Sequence, residues 1–163
     1  GKLVLDFPAY PINEIAAIPA LETAIGARPL KTWESQTNMV IVRVDTEATV
    51  RALQPDMNAL LGVKYDEIIV TALGDDCDFA SRMFAPRIGI PEDPVTGAIH
   101  CSLIPYWAKE LSKDILFARQ VSGRGGELFC ELAGDRVKIG GDATLFLKGE
   151  IYVEAGSEKS AGA

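Results

Sequence analysis

A single histidine, His100, occurs in the 163-residue chain. A zinc centre built on several histidines is therefore excluded. The cysteines number three, Cys77, Cys101 and Cys130, with no CxxC pair. An odd count at these spacings fits free thiols in a reducing cytosol better than a disulfide framework, so a cytoplasmic location is expected. Basic runs are missing as well. The net charge is −7, which argues against nucleic acid and acidic membrane surfaces as partners. There is no run of eighteen apolar residues and no signal-peptide pattern at Gly1–Asp6, so no membrane span is expected. The chain opens directly on a strand, as though cut from a longer protein. Neither an internal repeat nor a dividing linker interrupts it. One domain over 1–155 is predicted, with a small, polar tail over 156–163.

What is present is a globular composition, 48% hydrophobic and 24% charged. Strands are predicted at Lys2–Phe7, Leu30–Glu34 and Met39–Val44, the last two joined by the polar turn Ser35–Asn38. Pro11–Ile25 has apolar residues at helical spacing and is interrupted by Pro19, which predicts one or two short helices. Asp45 and Thr46 open a helix through Leu53, and Pro55 another through Leu61. Asp66–Leu73 and Asp78–Phe84 read as strands around a Gly74-Asp75-Asp76 turn. Asp75, Asp76 and Asp78 lack the spacing of an EF-hand loop, and no metal is expected. Strands follow at Ile115–Val121, Glu127–Leu132 and Arg136–Ile139, with a long strand or hairpin at Ala143–Val153.

The rest of the chain is organised around residues 92–111. Pro94 pushes Asp93 toward an extended conformation, Thr96 suits a helix N-cap, and Gly97 allows close approach. A helix is predicted from Gly97 to about Leu111. Its apolar residues, from Ile99 to Trp107 and Leu111, surround the whole helical wheel, which marks a buried helix. The start of such a helix offers free N–H groups and partial positive charge, a cradle for a carboxylate or phosphate. Asp93 places a titratable carboxyl beside it. The alternative reading is that Asp93 and Thr96 only cap the helix.

Asp93-Pro94-Val95-Thr96-Gly97, followed by Ala98-Ile99-His100-Cys101, resembles the DPVTGSAH signature of the phenazine biosynthesis-like family. Arg82-Met83-Phe84-Ala85-Pro86, Gly89-Ile90-Pro91-Glu92, Pro105-Tyr106-Trp107, the QxSxRGG-like stretch Gln120–Gly126, Asp135-Arg136-Val137, Gly140-Gly141 and the opening Leu5-Asp6-Phe7-Pro8 follow the same family in order. The resemblance implies an α+β fold: one diaminopimelate epimerase-like lobe, a mostly antiparallel curved sheet wrapped around a central buried helix. It implies isomerase or epimerase-type proton transfer on a small carboxylate substrate, without cofactor. It covers only the family's second half. The general-base glutamate of the first lobe has no counterpart, and the signature serine is Ala98 in this chain.

The site expected by resemblance consists of Asp93 as the titrating group, with Thr96, Gly97, Ala98, Ile99, His100 and Arg124 around the substrate. For Arg124 a carboxylate partner and a plain surface turn are both open. For His100 the open readings are a substrate donor and a satisfied core histidine. Arg82 is read as locking Asp93 or another acid, and Cys101 as a buried, inert thiol. The missing group would come from a partner chain, either a separate first lobe or a second copy in a homodimer. The alternative function is a non-catalytic, anion-binding or structural homodimeric remnant.

Overall fold

The computed structural model describes residues 2–152. Among them, ten strands form one sheet: β1 Lys2–Pro8, β2 Ile12–Ile15, β3 Lys31–Ser35, β4 Met39–Arg43, β5 Glu67–Leu73, β6 Phe79–Ala85, β7 Ile90–Asp93, β8 Ile115–Gln120, β9 Gly126–Ala133 and β10 Arg136–Asp142. The order is β1-β10-β9-β8-β6-β5-β4-β3-β2, with β7 on the same edge of β6 as β8. Pairing is antiparallel except at β4–β5 and β6–β8. Helices α1 Pro19–Ile25, α2 Glu47–Ala52 and α3 Met57–Leu61 cover one face, packing Leu21, Ile25, Val50 and Leu60 on Val40, Val42, Ile68 and Val70.

Helix α4, Gly97–Leu111, fills the other face. Its wheel is apolar on almost every side, and residues 99–104, Trp107 and Ala108 are buried, with Ala98, Lys109 and Glu110 reaching solvent. Trp107 stacks on Phe79 at 5.7 Å and donates Nε1–H to Thr71 Oγ1 at 3.1 Å. Tyr106 lies against Trp33 and accepts from Arg43. One helix thus touches strands from β3 to β10, which requires the sheet to curve around it. Pro105 has no N–H for the Cys101 carbonyl one turn back. The Tyr10 N–H, after β1, takes that carbonyl at 2.9 Å.

Two predicted elements differ, and one strand was not predicted. Ile12–Ile15 is an edge strand paired with β3, not a helix, because Pro19 starts α1 instead of interrupting one. Proline is well placed in a first turn, where its missing N–H is not needed. Ile90–Asp93, to which the sequence assigns no element, is a short strand that ends on the extended Asp93. Residues 143–152 form no strand, although their alternation predicts one. A strand exists only where a neighbour completes its ladder, and residues 143–152 pair with none of the described strands. Val153 and the predicted tail lie outside the described residues.

Candidate functional site

Strands β7 and β8 run toward each other along one edge of β6. Gln120, the last residue of β8, is opposite Ser81, and Asp93, the last of β7, is opposite Met83. Two strand ends therefore meet at Arg82, and the chain leaves both in the same place. From β7 it turns through Pro94–Thr96 into α4. From β8 it enters the glycine-rich loop 121–125.

Gln120 ties the two exits together. Its amide is buried, and an amide can donate and accept at once. Oε1 accepts the Thr96 N–H at 2.8 Å, while Nε2 donates to the Asp93 carbonyl at 2.7 Å and to Thr96 Oγ1 at 3.2 Å. Ser122 adds a second tie, its hydroxyl donating to the Pro94 carbonyl at 2.7 Å and accepting the Gly125 N–H at 3.0 Å. Gly125 has φ +71°, a left-handed conformation. At Gly126, the first residue of β9, a Cβ would stand 2.3 Å from Val95 Cγ2, so any side chain there would force Val95 to move.

The consequence falls on the start of α4. Thr96 occupies the N-cap position, yet its hydroxyl caps nothing. It donates to Asp93 Oδ2 at 2.6 Å. The Gly97 and Ala98 N–H groups find no acceptor among the described residues, and Ala98 is exposed. An open helix start with uncapped donors is a place for an anion. Ile99 is fully buried and offers only its backbone. Asp93 is half-buried, holds one oxygen on Thr96 and leaves Oδ1 without a partner among the described residues.

His100 is inaccessible to solvent. Its Nδ1 lies 2.7 Å from the Thr96 carbonyl; a carbonyl can only accept, so Nδ1 carries the proton. Nε2 is buried without a partner among the described residues. Burial lowers the ring's pKa to about 4, so it is neutral at pH 7 and orients Thr96 from behind. Arg124 is exposed and forms no ion pair among the described residues. It lines an open pocket of about 430 Å³ with Arg51, Arg119, Gln120 and Ser122. Arg82 locks Glu92 and not Asp93: Nε and Nη2 meet the Glu92 carboxylate at 2.7 and 3.0 Å, and Nη1 donates to the Val50 and Leu53 carbonyls. Adjacent strand residues face opposite ways, so Glu92 shares Arg82's face and Asp93 faces α4. Cys101 is buried, and burial raises its thiol pKa.

Gln120 and Ser122 are visible in the sequence only as parts of a motif, with no role attached. The signal was there in part, since a glutamine ending a buried strand must spend its amide on something. Glu67 carried no signal. Its Oε2 is buried without a partner among the described residues; burial, then the charges of Asp66 and Asp93, holds its carboxyl above the usual range. The acids of the 75–78 turn go separate ways, Asp78 to Lys113 and the Phe117 N–H, Asp76 to Arg119.

A curved α+β sheet thus surrounds a buried helix whose uncapped start lies beside a carboxyl group. Residues 4–149 match the family of phenazine biosynthesis-like proteins, and the chain belongs to that family. It is 49% identical over 150 residues to an uncharacterized isomerase of Pseudomonas aeruginosa, covering 92% of this chain and 57% of that protein. An uncharacterized isomerase of Halalkalibacterium halodurans is 37% identical over 152 residues, covering 91% of this chain and 57% of the relative. The crystal structure of a phenazine biosynthesis protein from Enterococcus faecalis superposes with a TM-score of 0.84 at 42% identity, over 93% of this chain and 58% of that one. The chain thus spans less than two thirds of the relatives it matches.

Proposed function

We propose that this chain is the anion-binding part of a cofactor-independent isomerase or epimerase, acting by proton transfer on a small carboxylate-bearing substrate. The observation that carries this reading is the Thr96 hydroxyl. By turning to Asp93 it leaves the Gly97 and Ala98 N–H groups free at a helix start that Gln120 and Ser122 hold in place. The substrate carboxylate sits on those two N–H groups and the Ile99 backbone, Arg124 approaches from the pocket, and Asp93 is the titrating group. His100 acts from behind by fixing Thr96. Proton transfer needs one group to take a proton and one to give it. A partner chain supplies the second, in a diaminopimelate epimerase-like arrangement of two lobes. The isomerase names of the relatives support the reaction class, and the three free cysteines support a cytoplasmic location.

Ala98 favours a second reading, an anion-binding protein without turnover, because no side-chain hydroxyl projects at the head of the cradle. Both readings require the cradle. Titration with sulfate and with a small amino-acid carboxylate, followed by amide NMR, should shift Gly97 and Ala98 most. Largest shifts elsewhere would remove the site. Solvent deuterium entering a proline-like or dihydroaromatic amino acid in heavy water separates the enzyme from the pure binder.

A further inference from the structure

The open pocket beside Arg124 is a basic place on an acidic molecule. The chain carries a net charge of −7, yet Arg51, Arg119 and Arg124 line this pocket of about 430 Å³, and Glu127 is the one acid on its wall among the described residues. Acids hold two of the three guanidinium groups in place. Arg51, on α2, gives Nε and Nη2 to Glu47, whose buried carboxylate also accepts the Asp75 N–H at 2.8 Å. Arg119, on β8, gives Nε and Nη2 to Glu127 at 3.2 and 3.0 Å, while its Nη1 is 3.9 Å from Asp76, too far for a hydrogen bond. Nη1 of Arg51 and all of Arg124 are without an acid partner among the described residues. Donors therefore remain on all three, and two of the three are already oriented, which lowers the entropic cost of meeting a ligand. A guanidinium fork matches the oxygens of a carboxylate or phosphate.

The pocket wall and the start of α4 are one hydrogen bond apart. Gln120 and Ser122 both line the pocket; Gln120 accepts the Thr96 N–H and Ser122 donates to the Pro94 carbonyl, and Gly97 follows Thr96 directly. We propose that the pocket takes a second oxyanion of the same molecule whose first carboxylate sits on the Gly97 and Ala98 N–H groups. The substrate is then a dianion, either a dicarboxylate or a carboxylate that also bears a phosphoryl-type group. This rests on the anion-binding reading of the helix start and adds Arg51 and Arg119 to it as the groups that select for the second charge. A chain of net charge −7 repels a dianion except where cations outnumber acids, as they do on this wall. The arginines are partly exposed, so the selectivity is reduced by added salt.

NMR titration of the full chain tests this with butyrate, succinate, glutarate and 3-phosphonopropionate, read at the Gly97 and Ala98 amides and at the Nε–H groups of Arg51, Arg119 and Arg124. The readout is the affinity of each dianion relative to butyrate, in wild type, R119A and R124A. Arg124 is exposed and the partners of Arg119 are exposed acids, so both variants keep the packed core. In wild type at least one dianion should bind about tenfold tighter than butyrate and should shift amides and arginines with a single Kd. In both variants the ratio should fall toward one, and in wild type it should shrink as salt is added. Whether glutarate or 3-phosphonopropionate gains more tells a second carboxylate from a phosphoryl group. Dianions that bind no tighter than butyrate, or a ratio that survives R119A and R124A, overturn the second subsite while leaving the helix start as an anion site. Arginine signals that move while Gly97 and Ala98 stay still overturn the shared ligand and the reading of the helix start together.

Discussion

His100→Asn isolates the energetics of the buried ring. Asparagine places an amide N–H near the position of Nδ1, so the bond to the Thr96 carbonyl is kept while the titration is lost. In the folded chain the imidazole pKa is lowered to about 4, first by burial, with the Thr96 bond opposing. In the unfolded chain it titrates near its ordinary value of about 6.5. A lowered histidine pKa means that the unfolded state binds more protons between those two values, so stability is full above about 6.5 and falls as pH drops toward 4. From pH 7 to pH 5 the loss comes to about 2 kcal/mol, since each tenfold difference in proton affinity between the two states is worth about 1.4 kcal/mol. Most carboxylates titrate below that window, which leaves the histidine as the main proton acceptor. Urea unfolding of wild type and His100→Asn at pH 7, 6 and 5 measures it. The wild type should lose about 2 kcal/mol relative to the variant across the series. A difference that stays flat would show that the ring is charged or hydrated in the native state, and the account of an orphaned Nε2 would fail.

Two further substitutions test the frame of the site. Trp107→Ala removes a fully buried indole, its stack on Phe79 and its bond to Thr71, and should cost about 3–5 kcal/mol by denaturant unfolding; a midpoint that barely moves would contradict its place in the core. Gln120→Ala strips the partners from a buried Thr96 N–H and from the Asp93 carbonyl, and should cost about 3 kcal/mol, two lost bonds plus an orphaned donor. The same variant should weaken anion binding at Gly97 and Ala98, and unchanged amide shifts on sulfate titration would show that the cradle stands without its clamp.

The all-round apolar pattern of 98–111 determined a buried helix, because a helix with no polar face has no stable place at a surface. Local chemistry likewise determined the turn at Pro94, the helix start at Gly97 and most strand positions, since each depends on residues within a few places of one another. Of the one or two short helices expected over Pro11–Ile25, one forms at Pro19–Ile25, while residues 12–15 are a strand because they pair with β3. Other features depend on residues distant in sequence. Gln120 reaches Thr96 only because β7 and β8 end head to head on β6, and Arg82 takes Glu92 rather than Asp93 because the face of a strand is set by its neighbours. The alternation of 143–152 shows the limit most directly. It gives a segment the capacity to be a strand, but a strand also needs a neighbouring ladder, and local sequence does not supply one.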